Sequence, residues 1–204
     1  MPLQSPARSP TIALLALALG LTVALLALDL VAYAYERIGI DSRYLFTLLA
    51  VSLLGSNLDI PVARLGDDRD DAPPTTLAVN VGGALIPTGL SIFLLGTGAA
   101  PLTAFLGVAV VAAVVHRIAR PLPDVGIAVP IFAPPLIAAA MGLLLAPAAA
   151  PAVAYVAGTL GTLIGADLTN LGTLRRLGGP RASIGGAGTF DGIFVTGILA
   201  VLLA

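Results

Sequence analysis

The chain has 204 residues, 58% of them hydrophobic and 10% charged, with a formal net charge of -1 and a mean hydropathy of +1.03. A soluble domain carries about one-quarter charged residues. Ten Arg, eleven acids, one His and no Lys therefore exclude a water-soluble enzyme, and the lack of a basic face excludes a nucleic-acid binder.

The chain reads as a polytopic membrane protein, an all-α helix bundle forming a single integral membrane domain. A hydrocarbon core of about 30 Å needs about 20 mostly apolar residues per crossing. The stretches 11–34, 44–62, 75–97, 100–116, 126–147, 150–172 and 183–204 meet that criterion and predict seven spans. Ala32-Tyr33-Ala34 has the form of a signal cleavage site. The apolar run before it exceeds the roughly 7–15 residues of a signal h-region, so the first stretch is read as a retained helix. Arg8, Arg64, Arg69, Arg117, Arg120, Arg175, Arg176 and Arg181 fall on one side of this topology, and only Arg37 and Arg43 on the other. The positive-inside rule then predicts a cytoplasmic N-terminus and an external C-terminus. The acidic run within Arg64–Pro74, GDDRDDAPP, is a solvated cytoplasmic linker. With no cysteine present, disulfides, thiolate metal sites and a cysteine nucleophile are all excluded.

A charged group at a helix centre costs roughly 2.5–3.5 kcal/mol on insertion scales, which makes an intramembrane acid a functional candidate. Asp29, Asn57, Asp59, Asn80, His116, Asp167, Asn170 and Asp191 lie within or at the edges of the spans. Asp167 lies eight residues before Arg175, and Asp191 eight residues after Ser183. Eight residues are about 12 Å along a helix, so the last hairpin brings both carboxyls to one depth. All but Asp29 collect in the cytoplasmic half. His116 beside Arg117 reads as an interfacial helix end, Asp59 and Asp124 as caps or snorkelling groups, and Asp29 as interfacial. For Asp167 and Asp191 two readings stay open: a carboxyl hydrogen-bonded across the bundle, or a functional pair facing each other in a wet inward-opening pocket.

The third span contains NVGGALIPTG, with Pro87 after Gly82-Gly83, and the fifth contains GIAVPIFAPPL, with Pro130, Pro134 and Pro135. Proline removes a backbone donor and clashes with the preceding turn, so both spans are expected to be kinked or unwound, facing the bundle interior. Pro130 and Pro134, with Asn57, Asp59, Asn80 and Asn170, are the candidate substrate- or ion-binding positions. Gly161 and Gly165 have the G-x-x-x-G spacing of close helix packing. An internal echo pairs Leu53–Leu58 with Leu163–Leu168 and Asn80–Ala84 with Ser183–Ala187. It suggests a parallel repeat of three helices, a linker and three helices.

The stretches AYVAGTLGTLIGADLTNL and IGGAGTFDGIFVTGILAVLL, with NVGGALIPTG and GIAVPIFAPP, resemble an uncharacterised prokaryotic membrane family known as domain of unknown function sixteen-fourteen. The resemblance implies a shared fold in the prokaryotic cytoplasmic membrane and supplies no activity. A weaker likeness is to intramembrane aspartyl proteases of the presenilin and prepilin-peptidase type, which hold two aspartates on separate helices. Neither Gly165-Ala166-Asp167 nor Phe190-Asp191 fits their G-x-G-D motif.

Three functions compete. An aspartyl hydrolase would use Asp167 and Asp191 as a proton-sharing catalytic pair. A proton- or cation-coupled carrier would use the same acids and the broken helices. A scaffold would use the acids only to hold helices together. The spacing of the acids and His116 matches no metal motif, and no cofactor is implied. The expected partners are the lipid bilayer and an unknown membrane-borne or small-molecule substrate; oligomeric state cannot be read.

Overall fold

The computed structural model describes residues 10–66, 74–98, 100–122, 126–176, 180–186 and 191–204. Arg8, Asp124, the acidic run 67–71 and Gly188-Thr189-Phe190 lie outside the described residues. The fold is mostly helical, and three helical stretches, Leu15–Arg37, Pro101–Ile118 and Pro147–Thr173, are long and apolar enough to cross a membrane.

The first stretch forms one continuous helix, α1 (Pro10–Arg37). Leu15, Leu17, Leu19 and Leu21 are all more than half exposed, an outward apolar face suited to lipid and not to water. Asp41 caps α2 (Ser42–Gly55) by accepting a hydrogen bond from the Arg43 amide at 2.9 Å. The stretch predicted as one helix over 44–62 ends here. After a turn, Asp59–Leu65 forms strand β1. Likewise, 75–97 begins as strand β2 (Thr75–Asn80), passes through a π-turn (Val81–Leu85) and only then becomes α3 (Ile86–Thr97). The expected interruption of this segment is present, as a strand and a π-turn. Pro87 falls in the first turn of α3 directly after the π-turn, so the helix changes its hydrogen-bond register where the proline lacks an N–H.

The fourth stretch is α4 (Pro101–Ile118). The fifth corrects the expectation most clearly. Arg120–Leu122 and Gly126–Ala128 pair as the antiparallel strands β3 and β4, and α5 (Ala133–Leu145) starts afterwards. Pro130 precedes α5 and Pro134 lies in its first turn. These prolines start a helix and do not break one. The sixth stretch runs through α6 (Ala150–Thr162), a π-turn (Leu163–Asp167), a 3-10 turn (Leu168–Asn170) and the short α7 (Leu171–Arg176). The seventh opens as strand β5 (Arg181–Ile184) and ends as α8 (Gly192–Leu203). The all-α expectation therefore misses five short strands. Four- to eight-residue apolar runs have no periodicity that separates strand from helix.

The strands form two sheets. In one, the order is β1-β2-β5, with β1 antiparallel and β5 parallel to β2. Asp59 stands opposite Asn80, and the register slips between Pro61 and Ala63. Pro61 lies on the sheet's edge strand, where a missing donor is tolerated. Each strand segment joins the C-terminal end of one helix to the N-terminal end of the next.

At the centre stands α6, whose residues Val153–Thr159 are all buried. It packs against α3, α4, α5 and α8. Gly161 lies against Val111, and Gly165 against Ala112 and Val115 of α4, so the G-x-x-x-G pair lines a tight seam. Gly82, in the first π-turn, lies against the Ser52 carbonyl and the Ser56 amide of α2, and a Cβ there would meet backbone. Gly82→Ala is therefore expected to cost about 1–3 kcal/mol, read as a lowered unfolding midpoint in detergent. Gly96, with nothing within 4 Å of a built Cβ, is expected to tolerate alanine within about 0.5 kcal/mol. Equal effects at the two positions would contradict the close approach.

Candidate functional site

The polar candidates meet where the strands join the helices. Beneath them lies an apolar plug of Leu77 (β2), Ala84 (first π-turn), Ile184 (β5) and Ile193 (α8), with Leu163 of the second π-turn packed against it. This plug fixes the ends of five elements relative to one another. Gly185 follows β5 with φ +70°, a left-handed conformation that favours glycine, and a Cβ there would strike Ala84 and Gly83.

Asn80 is buried and ties three elements together. Its Nδ2 donates to the Ser56 carbonyl at the end of α2 (2.8 Å) and to Asp59 Oδ1 on β1 (3.0 Å). Its Oδ1 accepts from the Gly83 amide (2.8 Å), capping the π-turn. Ser183 Oγ of β5 donates to the same Asp59 oxygen at 2.7 Å. The Asp59 carboxylate therefore spans all three strands of the sheet. Ser183 is not among the candidates that the sequence singles out: it figures there as a marker of depth and as the counterpart of Asn80 in the internal echo, and nothing in the linear pattern ties it to Asp59, 124 positions away.

Asp167 ends the second π-turn and Asp191 caps α8, accepting from the Ile193 amide at 2.9 Å. Both are partly exposed. Gly158 of α6 lies against Thr196 and Ala200 of α8, and Gly197 of α8 against Tyr155, so the two helices pack antiparallel and the end of the α6 limb and the start of α8 lie at the same end of the bundle. A π-turn widens the helix by one residue and frequently marks a functional position.

The remaining candidates brace this region or stand apart from it. Asn170 Nδ2 donates to the carbonyls of Gly165 (3.1 Å) and Ala166 (2.9 Å), satisfying acceptors that the π-turn leaves open. Thr169 Oγ1 also donates to the Gly165 carbonyl, at 2.8 Å. With its proton committed there, Thr169 accepts from His116 Nδ1 at 2.9 Å, so the imidazole carries its proton on Nδ1. His116 thus clamps the end of α4 to the turn that carries Asp167. Asn57 is exposed, and its side chain turns back on its own helix toward the Leu53 carbonyl. Pro130 is exposed and Pro134 buried at the start of α5. Asp29 lies on the exposed face of α1. Among the described residues, no three His, Cys, Asp or Glu side chains gather to hold a metal ion.

Two predictions follow from the hydrogen bonds. Asp59→Ala removes the acceptor shared by Asn80 and Ser183, and should cost about 1–2 kcal/mol, read as faster amide exchange in Leu77–Val79. Unchanged exchange in the variant would contradict the assignment. His116→Ala should loosen the Thr169–Asn170 amides by about 1 kcal/mol, whereas His116→Asn, whose side-chain amide donates from about the same place as Nδ1, should not. Equal protection in the two variants would remove the clamp.

No curated protein and no solved structure matches the chain. A family model described as Protein of unknown function (DUF1614) matches residues 42–203, from the start of α2 to the end of α8. The chain belongs to that family.

Proposed function

We propose that this protein is an aspartyl-type hydrolase of the membrane, with Asp167 and Asp191 as its catalytic pair. The observation that supports the reading is the antiparallel packing of α6 on α8, which brings the π-turn that carries Asp167 and the helix N-terminus that carries Asp191 to one end of the bundle. Asp191, seated at the positive end of α8, is assigned the base. Asp167 is assigned the acid, the pair holding one proton between them. Asp191 takes a proton from water, the resulting hydroxide attacks an amide or ester carbonyl carbon, and the Asp167 proton goes to the carbonyl oxygen. Collapse of the tetrahedral species breaks the bond to the leaving group, which takes up the proton from Asp191. The released carboxylic acid returns the other proton to Asp167.

In the same reading the chain crosses the prokaryotic cytoplasmic membrane seven times with its N-terminus inside, and the strand-bearing end faces the cytoplasm. The twelve to thirteen residues of α3, α5 and α8 span only about 18–20 Å at ~1.5 Å per residue. The π-turn and strands must supply the rest of the depth, which sets both acids inside the membrane boundary. Substrate then arrives from the cytoplasm or laterally through lipid. The echo between 53–58 and 163–168 belongs to this proposal as a parallel duplication, supported by the parallel pairing of β2 and β5 ahead of α3 and α8.

One observation favours a second reading. The short helices α3, α5 and α8 all start at the strand-bearing end, and broken helices of this kind bind ions or solutes in carriers. A proton- or cation-coupled carrier using the same acids is therefore the alternative.

The deciding experiment uses purified protein in nanodiscs with a library of fluorogenic peptide and ester substrates. Asp167→Asn and Asp191→Asn should each lower turnover about 10³-fold or more with unchanged circular dichroism, and the double variant should be no worse than either single one. Activity surviving either change would remove the pair as catalysts. Gradient-driven uptake into proteoliposomes without hydrolysis would transfer both residues to the carrier reading.

A further inference from the structure

Away from the carboxyl pair, α2 and α3 form a wedge. They are clamped at one end, where Gly55 meets Val81 and Gly82 meets Ser52 and Ser56. Toward the other end they part, leaving a groove of about 560 Å³, within the roughly 300–1,000 Å³ of small-ligand sites. Its walls are Leu48 and Ile40 on one side and Ile86, Leu90 and Phe93 on the other. Gly89 lies along it with nothing within 4 Å of a built Cβ, and Gly39 turns with φ +83°. The groove is mostly apolar along its length, with the Thr47 hydroxyl as a polar group beside Leu48, and its charge is at the mouth, on Asp41.

Asp41 lines that mouth and holds Arg43 beside it in an ion pair. Arg43 Nε donates to both oxygens of Asp41 (3.1 Å each), and Nη2 donates to Oδ2 at 2.8 Å. Arg43 Nη1 lies outside this pair. Both side chains are exposed, at 79% and 43%. The Arg43 side chain and amide hold Asp41 below its ordinary pKa, so it is charged at the mouth. The Tyr44 ring lies 6.0 Å from the Arg43 guanidinium and completes the rim.

We propose that this groove seats one acyl chain of a bilayer phospholipid. Its head group, a phosphate and a primary ammonium, docks on Arg43 and Asp41. The apolar walls match a chain already present in the surrounding membrane. The plus–minus pair at the mouth matches a zwitterion and disfavours a purely anionic head, which Asp41 repels. A primary ammonium also donates hydrogen bonds to the Asp41 carboxylate, and a quaternary one has none to donate. This site is independent of the hydrolase reading.

The chain has no tryptophan, so Phe93→Trp places a single reporter in the groove. Leu102→Trp, at a position 86% exposed, reports bulk lipid. Vesicles of phosphatidylcholine would be doped with acyl-brominated phosphatidylethanolamine, phosphatidylglycerol or phosphatidylcholine, and quenching compared. The groove reporter should be quenched several-fold more by the ethanolamine lipid than by the other two, and the Leu102→Trp reporter equally by all three. Asp41→Asn, which keeps a capping side chain, and Arg43→Gln should each abolish the preference. Gly89→Phe should lower quenching by every lipid at the groove reporter alone. Equal quenching at the two reporters would overturn the proposal. Absence of quenching in the groove would overturn it too, since another copy or segment of the chain would then cover it.

Discussion

The structure rests on how closely other backbones approach α6. In lipid, helices gain little from hiding apolar surface from one another, so association depends on contact area and small residues. Gly158 meets Thr196 and Ala200 of α8, Gly161 meets Val111, Gly165 meets Ala112 and Val115, and Gly107 of α4 meets Ala157 in return. These positions have no room for a Cβ without displacement. With α4 and α8 held this close, the end of the α6 limb and the beginning of α8 stay at one end of the bundle, and the segments that carry Asp167 and Asp191 are positioned by glycine packing.

The strand-bearing end addresses a different requirement. A helix that ends within or near hydrocarbon leaves carbonyls and amides that lipid cannot satisfy. Here, strand pairing satisfies those of the central β2 and the groups of β1 and β5 that face it. Asn80 and Asp191 cap the segments that follow, while Asn170 and Thr169 cover the carbonyls of the second π-turn. Several of the polar residues that make this end conspicuous are therefore committed to backbone. What remains free of that duty is narrower than composition implies. Part of the Asp191 carboxylate belongs to α8, and Asn170 belongs to its own turn.

Legibility in the sequence followed the physics of each signal. Apolar excess and the long runs exposed the membrane character directly, and the G-x-x-x-G spacing marked α6 as a surface of close packing, because both depend on side-chain type alone; that α4 is the partner is seen only in the structure. The interruption before Pro87 was legible from Gly82-Gly83 and proline together. Strands were not. TTLAVN and RASI are too short for periodicity to act on, and in membrane context an apolar run defaults to helix. Pro134 misled for a related reason. Proline announces a boundary without saying whether a helix is being broken or begun. The Asp59–Asn80 contact and its completion by Ser183 depend on strand register, which cannot be read before the strands are known. The membership in the family described as Protein of unknown function (DUF1614) covers α2 to α8 and leaves α1 outside the match.

That last helix has a bearing on biogenesis. Tyr35 is buried in the same apolar cluster as Tyr155, Ile198 and Val201, and Arg37 Nη1 donates to the Val201 carbonyl at 2.9 Å, across 164 positions of chain. A ribosome makes α1 well before α8, so the hydrogen bond from Arg37 to the Val201 carbonyl closes only once α8 has been made, and α1 reaches its final seat after the helices between have been laid down.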